Sequence, residues 1–307
     1  VDLIVVSEKS DLNSRVYHKN GPPILFDLVD SYLTPTNWVE DSLRGLVKNF
    51  TGELSGRVSR FSSIVSEFCI KSQAVVCSSI EQQTFLRNLN SNTHIILDSH
   101  HEFPFLKPKK PDQNSNSLKI FWEGQVATIN GFNSMVQSLI ELNNKTNFEL
   151  RLLTDINYFG FMNRFLPRKT SDLVSRTMGP KLSNVEVVPW NLSNLIREAS
   201  QSTLSIIPLN AEIPIQYYKP ENRLLIMWRL GLPTLTTAIP SYMRVSDAIH
   251  ERFVCDNQLA WLQMMLEYSS DSDRAYEQVK LGQNYLHTQH NSEVLLQKWD
   301  EAVASIL

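Results

Sequence analysis

The sequence predicts an α/β protein with two parallel sheets, each flanked by helices. Short runs of apolar and β-branched residues alternate with helical patterns, which is typical of βαβ units and parallel strands. The alternation stops at residues 107–117, a polar stretch with two prolines and no apolar residue, and then starts again. Such a stretch is typical of a linker between domains. The length of 307 residues also suits two domains.

The first half, residues 1–112, is predicted to be one domain with a parallel sheet. Its predicted strands cover residues 3–6, 24–30, 74–77 and 93–97. The first three runs are short and continuously apolar near their start, as expected of a buried strand. Residues 38–70 lie between the second and third strands and have apolar side chains at helical spacing. Two glycines, Gly52 and Gly56, are expected to divide this region into two helices.

The same region, residues 38–70, carries four basic side chains: Arg44, Lys48, Arg57 and Arg60. Two interpretations of them stay open. A basic amphipathic helix can lie on an anionic membrane surface. A helix that faces the core and turns its basic side to solvent has the same pattern.

The second half, residues 113–290, repeats the alternation, so we expect two Rossmann-like domains that face each other across a cleft. Its predicted strands cover residues 118–122, 148–153, 185–188, 204–207, 233–237 and 252–255. Helical patterns separate them, and residues 157–176 are predicted to be an aromatic-rich helical region. The chain is expected to be helical from residue 259, and residues 291–307 form a closing helix.

Composition and motifs exclude several classes of function. The net charge of −3 gives no reason to expect a nucleic-acid partner. The three cysteines, Cys69, Cys77 and Cys255, have no metal-ligand spacing and fit free thiols in a reducing compartment such as the cytoplasm. The dinucleotide fingerprint, the P-loop and the zinc-protease motif are all absent. Adjacent His100 and His101 on an extended segment point to opposite faces, so we expect no metal site.

Polar residues follow several predicted strands at the edge where ligands bind in open α/β sheets. In the first half these are Glu8, Asp27, Asp30 and Tyr32. In the second half they are three pairs: Gly124 and Gln125, Thr154 and Asp155, Trp190 and Asn191. A glycine beside a strand lets the backbone approach a phosphate. A tryptophan suits a nucleobase, although a packing role for Trp190 stays equally open.

Residues 219–223, Lys-Pro-Glu-Asn-Arg, lead into an apolar helical run that ends at Gly231 and Pro233. Pro220 is predicted to be the first helical residue, because its missing N–H would be unpaired there in any case. The free N–H groups of the first turn and the helix dipole favour an anion, and Lys219 and Arg223 add two positive charges. An ordinary capped surface helix is the alternative.

The order of these motifs resembles that of glycosyltransferases of the GT-B fold, in the large group that uses nucleotide sugars in polysaccharide and lipopolysaccharide assembly. Residues 26–30 are similar to that family's strand with paired aspartates, and residues 74–79 to its strand with a following serine. Residues 121–125 resemble the glycine turn that opens the donor domain, and residues 222–233 the donor-site helix that ends in Gly-x-Pro. Residues 292–307 resemble the helix that crosses back onto the N-terminal domain.

The resemblance implies transfer of a sugar from a nucleotide-sugar donor to a glycan or lipid-linked acceptor. No metal and no further cofactor are expected, and the location is cytoplasmic, with peripheral contact at the inner face of the membrane as an option. The expected catalytic residues are Asp30, Glu8, Lys219 and Arg223. The expected donor-binding residues are Gly124, Gln125, Thr154, Asp155, Trp190, Asn191, Lys219, Glu221, Asn222 and Arg223. The expected acceptor-side residues are Asp27, Tyr32 and His100.

The sequence departs from the family pattern at three positions. Gln125 and Asn130 stand where the family has Arg and Lys, and Ile226 stands where it has a ribose-binding Glu. Lys219, Glu221 and Arg223 are candidates to replace those groups. Two alternatives therefore stay open: a non-catalytic binding module of the same fold, and a nucleotide-sugar epimerase of the same architecture.

Overall fold

The computed structural model describes residues 2–12, 21–30, 32–33, 41–42, 45–46, 48, 54–55, 60–108, 110, 117–160 and 163–307, the side chains of 160–166 excepted. The chain divides into two compact units. The first contains residues 1–99, 212–220 and 290–307, and the second contains residues 100–211 and 221–289. Of the four basic residues named within 38–70, Arg44 and Arg57 lie outside the described residues.

The elements are named in chain order. They are β1 (Ile4–Ser7), β2 (Ile24–Leu28), α1 (Phe61–Lys71), β3 (Ala74–Cys77), α2 (Ile80–Leu86), β4 (Thr93–Ile95), β5 (Leu118–Glu123), a 3-10 helix (Val126–Ser134), α3 (Val136–Asn143), β6 (Phe148–Thr154), β7 (Asn157–Gly160), β8 (Asn163–Lys169), α4 (Thr170–Met178), β9 (Val185–Pro189), α5 (Leu192–Gln201), β10 (Leu204–Ile207), α6 (Pro214–Tyr217), α7 (Asn222–Arg229), β11 (Thr234–Thr237), α8 (Pro240–Ile249), β12 (Val254–Cys255), α9 (Gln258–Ser270), α10 (Ser272–Gln289) and α11 (Ser292–Ala304).

In the first unit, the described strands form a parallel sheet in the order β1, β2, β3, β4. Alternate residues of β2 face opposite sides of this sheet. Phe26 packs against α1, with its ring centroid 4.7 Å from that of Phe68. Leu25 belongs to a second cluster that contains Leu295 and Ala302 of α11. The closing helix α11 therefore supplies part of the first unit's core.

In the second unit, the described residues form a parallel sheet in the order β12, β11, β10, β5, β6, β9. From the centre, the chain moves from β5 outward to β6 and β9 and then returns to β10 on the other side. This is the strand order of the doubly wound Rossmann fold, whose ligands bind at the carboxyl ends of the strands where the order reverses. That point lies at the end of β5, next to Glu123. The predicted α/β class with parallel sheets is confirmed.

The prediction of a helical region over residues 157–176 is wrong for its first part. Residues Asn157–Gly160 and Asn163–Lys169 form an antiparallel hairpin, and a helix begins only at Thr170. Two features of the sequence favour the hairpin. Aromatic residues such as Tyr158 and Phe159 are enriched in strands, and Pro167 cannot donate a hydrogen bond inside a helix.

Residues 100–108 group with the second unit, although the predicted boundary lies at residue 112. The reason is a pair of hydrogen bonds to the end of α7. The Leu106 N–H donates to the Arg229 carbonyl at 2.7 Å, and Arg229 Nε donates to the Phe103 carbonyl at 3.0 Å. The Arg229 guanidinium also lies 4.6 Å from the centre of the Phe105 ring.

The three cysteine side chains are buried and form no disulfide. Burial raises the pKa of the Cys69 and Cys77 thiols to about 12, which keeps both as unreactive thiols near neutral pH. Among the described residues, no helix combines the length and the apolarity needed to span a bilayer.

The packing of α7 against α10 depends on a glycine. A Cβ at Gly282 would lie 2.2 Å from Cδ2 of the fully buried Trp228 ring. We therefore expect Gly282→Ala to lower the free energy of unfolding by about 1–3 kcal/mol through overpacking, despite the better helix propensity of alanine. Urea midpoints measure this. The exposed neighbour variant Asn284→Ala is the control, and equal midpoints for the two variants would contradict the close packing.

Candidate functional site

The end of β5 and the start of α7 meet in the second unit. Glu123 is the last residue of β5, and Gly124 follows it. A Cβ at Gly124 would lie 2.9 Å from Cζ2 of Trp122 and 3.0 Å from Nη2 of Arg223. The glycine therefore makes room for the Arg223 guanidinium beside the sheet edge. The structure brings together two residues, Gly124 and Arg223, that the sequence predicts for the donor site.

The Arg223 side chain is only 16% exposed. Its Nε lies 3.9 Å from Oε2 of Glu123, and its guanidinium carbon lies 6.0 Å from the centre of the Trp122 ring. The buried Nη1 donates no hydrogen bond to any described residue. An unpaired buried donor costs about 1–3 kcal/mol, and more when it is charged. Such a cost is expected where the donor serves a ligand.

Trp190 lies at the same sheet edge, directly after β9. Its indole Nε1–H donates to Oε1 of Glu123 at 3.1 Å, and its backbone N–H donates to the Thr154 carbonyl at 3.0 Å. Despite these two anchors the side chain is 48% exposed. An aromatic ring that is held in place and still open to solvent offers a stacking surface. Glu123 thus contacts both the Arg223 and the Trp190 side chains.

The start of α7 differs from the prediction. The helix begins at Asn222 and its N-cap residue is Glu221, so Pro220 lies before the helix and is not its first residue. The Glu221 carboxylate is buried, and its Oε2 lies 3.7 Å from Nη2 of Arg244. A carboxylate at this helix end already balances part of the helix dipole. The positive charge at the site therefore comes from side chains more than from the helix terminus.

Two tyrosines, Tyr242 and Tyr285, lie near the charges of Arg223, Glu221 and Arg244. Burial raises the pKa of Tyr242, which is also influenced by Arg223, Glu221 and Glu123. Burial raises the pKa of Tyr285 to about 12, with a further contribution from Glu221. Both phenols stay protonated at neutral pH, so they can act as hydrogen-bond donors but not as bases.

Lys219 groups with the first unit, in the segment 212–220, whereas Arg223 groups with the second. The Lys219 N–H donates to the Gln216 carbonyl at 3.4 Å, at the end of α6. Lys219 and Arg223 are only four positions apart in the chain, yet the division between the units falls between them.

The remaining predicted donor residues differ in their surroundings. Gln125 is exposed at the N-cap of the 3-10 helix. Asn191 caps α5, since its side chain accepts the Asn194 N–H at 2.7 Å. Thr154 is buried, and its Oγ1 makes no hydrogen bond with any described residue. Asp155 is exposed, and its carbonyl accepts the Thr170 hydroxyl at 2.5 Å.

In the first unit, carboxylates gather at the carboxyl ends of β1 and β2. Glu8 is 5% exposed, and its Oε2 accepts the Asp30 N–H at 2.9 Å. Burial raises the pKa of Glu8 to about 7, opposed by that hydrogen bond and supported by the charges of Asp30 and Asp27. Burial and the nearby Asp98 also raise the pKa of Asp27. The Tyr32 hydroxyl donates to Oδ2 of Asp30 at 3.3 Å.

Sequence reasoning missed Glu123, Arg244 and Tyr242. Glu123 ends a strand directly before a glycine, a signal that could have included it. Arg244 and Tyr242 lie on α8, one strand beyond α7, and no local pattern marks them.

His100, predicted for the acceptor side, groups with the second unit. It has a left-handed backbone with φ of 54° and lies with its ring centroid 6.2 Å from that of Phe103.

Comparison with solved structures identifies the fold. TarM matches with a TM-score of 0.60 at 10% identity over 91% of this chain and 54% of TarM. A TarM mutant from S. aureus, in complex with Fondaparinux, alpha-GlcNAc-glycerol and UDP, matches with a TM-score of 0.59 at 11% identity over 91% of this chain and 50% of that one. This chain thus spans about half the length of TarM.

Two shorter proteins match over more of their length. WaaG, a glycosyltransferase involved in lipopolysaccharide biosynthesis, matches with a TM-score of 0.56 at 13% identity over 93% of this chain and 78% of WaaG. A glycosyltransferase from Rickettsia africae matches with a TM-score of 0.58 at 13% identity over 99% of this chain and 97% of that one. No family model and no curated protein sequence matches the chain. The chain has the GT-B fold, as the sequence predicts.

The buried Glu8 makes stability depend on pH. Its pKa of about 7 in the folded protein exceeds the ordinary 4.5, so its contribution to stability is complete below pH 4.5 and is lost as the pH rises through 7. We expect Glu8→Gln to remove this loss of unfolding free energy. The loss corresponds to about 1.4 kcal/mol for each pH unit between the two pKa values. Urea midpoints at about pH 5 and about pH 8 measure it. Glu67→Gln, an exposed site on α1, is the control, and an unchanged slope in Glu8→Gln would contradict the burial effect.

Proposed function

We propose that the protein transfers a sugar from a nucleotide-sugar donor to a glycan or lipid-linked acceptor. The observation that carries this proposal is the buried Arg223 guanidinium beside Gly124, at the strand-order reversal of a GT-B fold. The donor diphosphate would accept a hydrogen bond from Nη1 of Arg223. Folds of this kind host other functions as well, so the site and not the fold supports the activity.

The chemistry of the proposed reaction requires positive charge at the leaving group. When the bond between the sugar and the diphosphate breaks, negative charge accumulates on the phosphate oxygen. A preorganised cation in a water-poor site stabilises that charge, and the loss of one such donor typically costs about 10²–10³ in rate. Arg223 fits this role because its guanidinium is planar, permanently charged and buried. Neither a metal ion nor a further cofactor is part of the proposal.

The nucleoside would lie against Trp190. The exposed indole ring suits stacking of the base, and Glu123 fixes the ring by accepting its N–H. In this proposal Glu123 acts as a positioning residue, since it contacts both Trp190 and Arg223.

The acceptor would be activated by the carboxylates of the first unit. A general base works best when its pKa is near the operating pH, and the raised pKa of about 7 gives Glu8 that property. Asp30, which is less buried and shares a hydrogen bond with Tyr32, is the second candidate for this role. A lipid-linked acceptor would bring the protein to the inner face of a membrane from the cytoplasm.

The test of the donor site uses Arg223. Arg223→Gln removes the charge, and Arg223→Lys keeps the charge but loses the planar pair of donors. We expect Arg223→Gln to weaken binding of uridine, guanosine or adenosine diphosphate by about 10- to 100-fold, the size of a charged hydrogen bond. Calorimetry measures the affinities, and Arg223→Lys is expected to lie between wild type and Arg223→Gln.

Arg197→Gln is the matched control, because Arg197 is 52% exposed and pairs with Glu198 on α5. Unfolding midpoints establish that the Arg223 variants fold. Equal nucleotide affinity in wild type and Arg223→Gln would contradict the donor-site assignment. Nucleotide binding by wild type without any transfer to glycan or lipid-linked acceptors would favour the non-catalytic module instead.

A pH profile separates the two candidates for the base. If Glu8 takes the acceptor's proton, kcat/KM rises with pH to a plateau above about 7, and Glu8→Gln abolishes transfer. If Asp30 does, Asp30→Asn abolishes transfer and Glu8→Gln leaves it active. Activity in both variants at the wild-type level would show that neither carboxylate serves as the base.

A further inference from the structure

The hairpin formed by β7 and β8 is not part of the large sheet. It follows the carboxyl end of β6 and leads directly into α4. Two hydrogen bonds close its base: the Thr170 N–H donates to the Ile156 carbonyl at 2.8 Å, and the Thr170 hydroxyl donates to the Asp155 carbonyl. Among the described residues, β7 and β8 pair with each other and with no other strand. A two-stranded hairpin alone is only marginally stable in water.

The hairpin carries apolar side chains on its outside. Ile156 is 50% exposed and Phe159 is 59% exposed. Phe159 lies where the pairing register shifts between Tyr158 and Gly160, and such irregularities commonly redirect a side chain. Tyr158, in contrast, is partly buried, and its hydroxyl accepts a hydrogen bond from Arg176 at 3.4 Å. About half of each of these two side chains, Ile156 and Phe159, therefore stays open to solvent.

The segment that contains the hairpin is rich in basic residues, in a chain of net charge −3. Residues 156–181 contain five Lys and Arg and one acidic residue, Asp172. Of the basic side chains, Arg168, Lys169, Arg176 and Lys181 are exposed. Arg168 is paired with Tyr158 across the hairpin, and Lys169 with Asn157. The hairpin that carries the exposed Phe159 side chain therefore also carries two exposed cations, Arg168 and Lys169.

We propose that this hairpin docks the second unit on an anionic membrane surface. Phe159 and Ile156 would enter the boundary between headgroups and acyl chains, and the basic side chains would contact lipid phosphates. A second copy of the chain fits less well, because pairing two hairpins would bring like charges together. Docking through this hairpin does not rest on the proposed function, since it requires neither a donor nor an acceptor.

The test is co-sedimentation with vesicles. Wild type is expected to bind vesicles of phosphatidylglycerol and phosphatidylcholine, to bind pure phosphatidylcholine at least about tenfold more weakly, and to be released at about 1 M salt. Phe159→Ser and the double variant Arg168→Glu with Lys169→Glu are each expected to lose binding by about tenfold or more, because they remove an apolar group from the membrane boundary or basic groups from the lipid phosphates.

Two controls match these changes. Leu259→Ser alters an equally exposed apolar side chain on α9, and Lys145→Glu reverses an exposed charge at the opposite end of β6. Both are expected to bind vesicles as wild type does. The proposal is overturned if wild type does not bind anionic vesicles, or if the hairpin variants bind as well as the controls. It is also overturned if Phe159→Ser leaves vesicle binding intact but converts a dimer into a monomer in sedimentation velocity.

Discussion

The second unit depends on the packing of one cation into the edge of its sheet. Arg223 occupies the space that a side chain at position 124 would need, in contact range of Trp122 and beside Glu123. Burying a guanidinium is costly unless charge and hydrogen bonds compensate for it. Glu123 supplies part of that compensation, yet Nη1 lacks a partner among the described residues. An anionic ligand that accepts a hydrogen bond from Nη1 would supply the missing compensation.

The topology explains why this cation lies where a ligand can reach it. In a doubly wound sheet, the connections leave in opposite directions from the strand-order reversal, so a crevice opens beside the carboxyl end of the central strand. β5 is that strand, and the turn after it must be a glycine to admit Arg223. Trp190 follows β9 and lies at the same edge, because the carboxyl ends of parallel strands lie at one edge of the sheet. Three distant segments of sequence thus supply one site.

Much of the fold could be predicted from the sequence, because buried parallel strands are short and continuously apolar and because their order repeats. Gly124 could be selected because it follows a predicted strand. Arg223 could be selected because it lies near the start of a predicted helix. The contacts between Glu123, Arg223 and Trp190 could not, since they depend on segments that are far apart in sequence. The prediction of a helix where β7 and β8 lie is wrong because apolar spacing in a short aromatic stretch fits both structures. The predicted start of α7 is wrong because proline also occurs just before an N-cap.

The central claim is that Nη1 of Arg223 donates to a phosphate oxygen of the donor nucleotide. The most direct measurement is a crystal structure of the protein with a nucleoside diphosphate bound. The account predicts a phosphate oxygen within about 3 Å of Arg223 Nη1 and the base stacked against Trp190. A nucleotide bound away from Gly124, or one whose phosphates leave Arg223 without a contact, would contradict it.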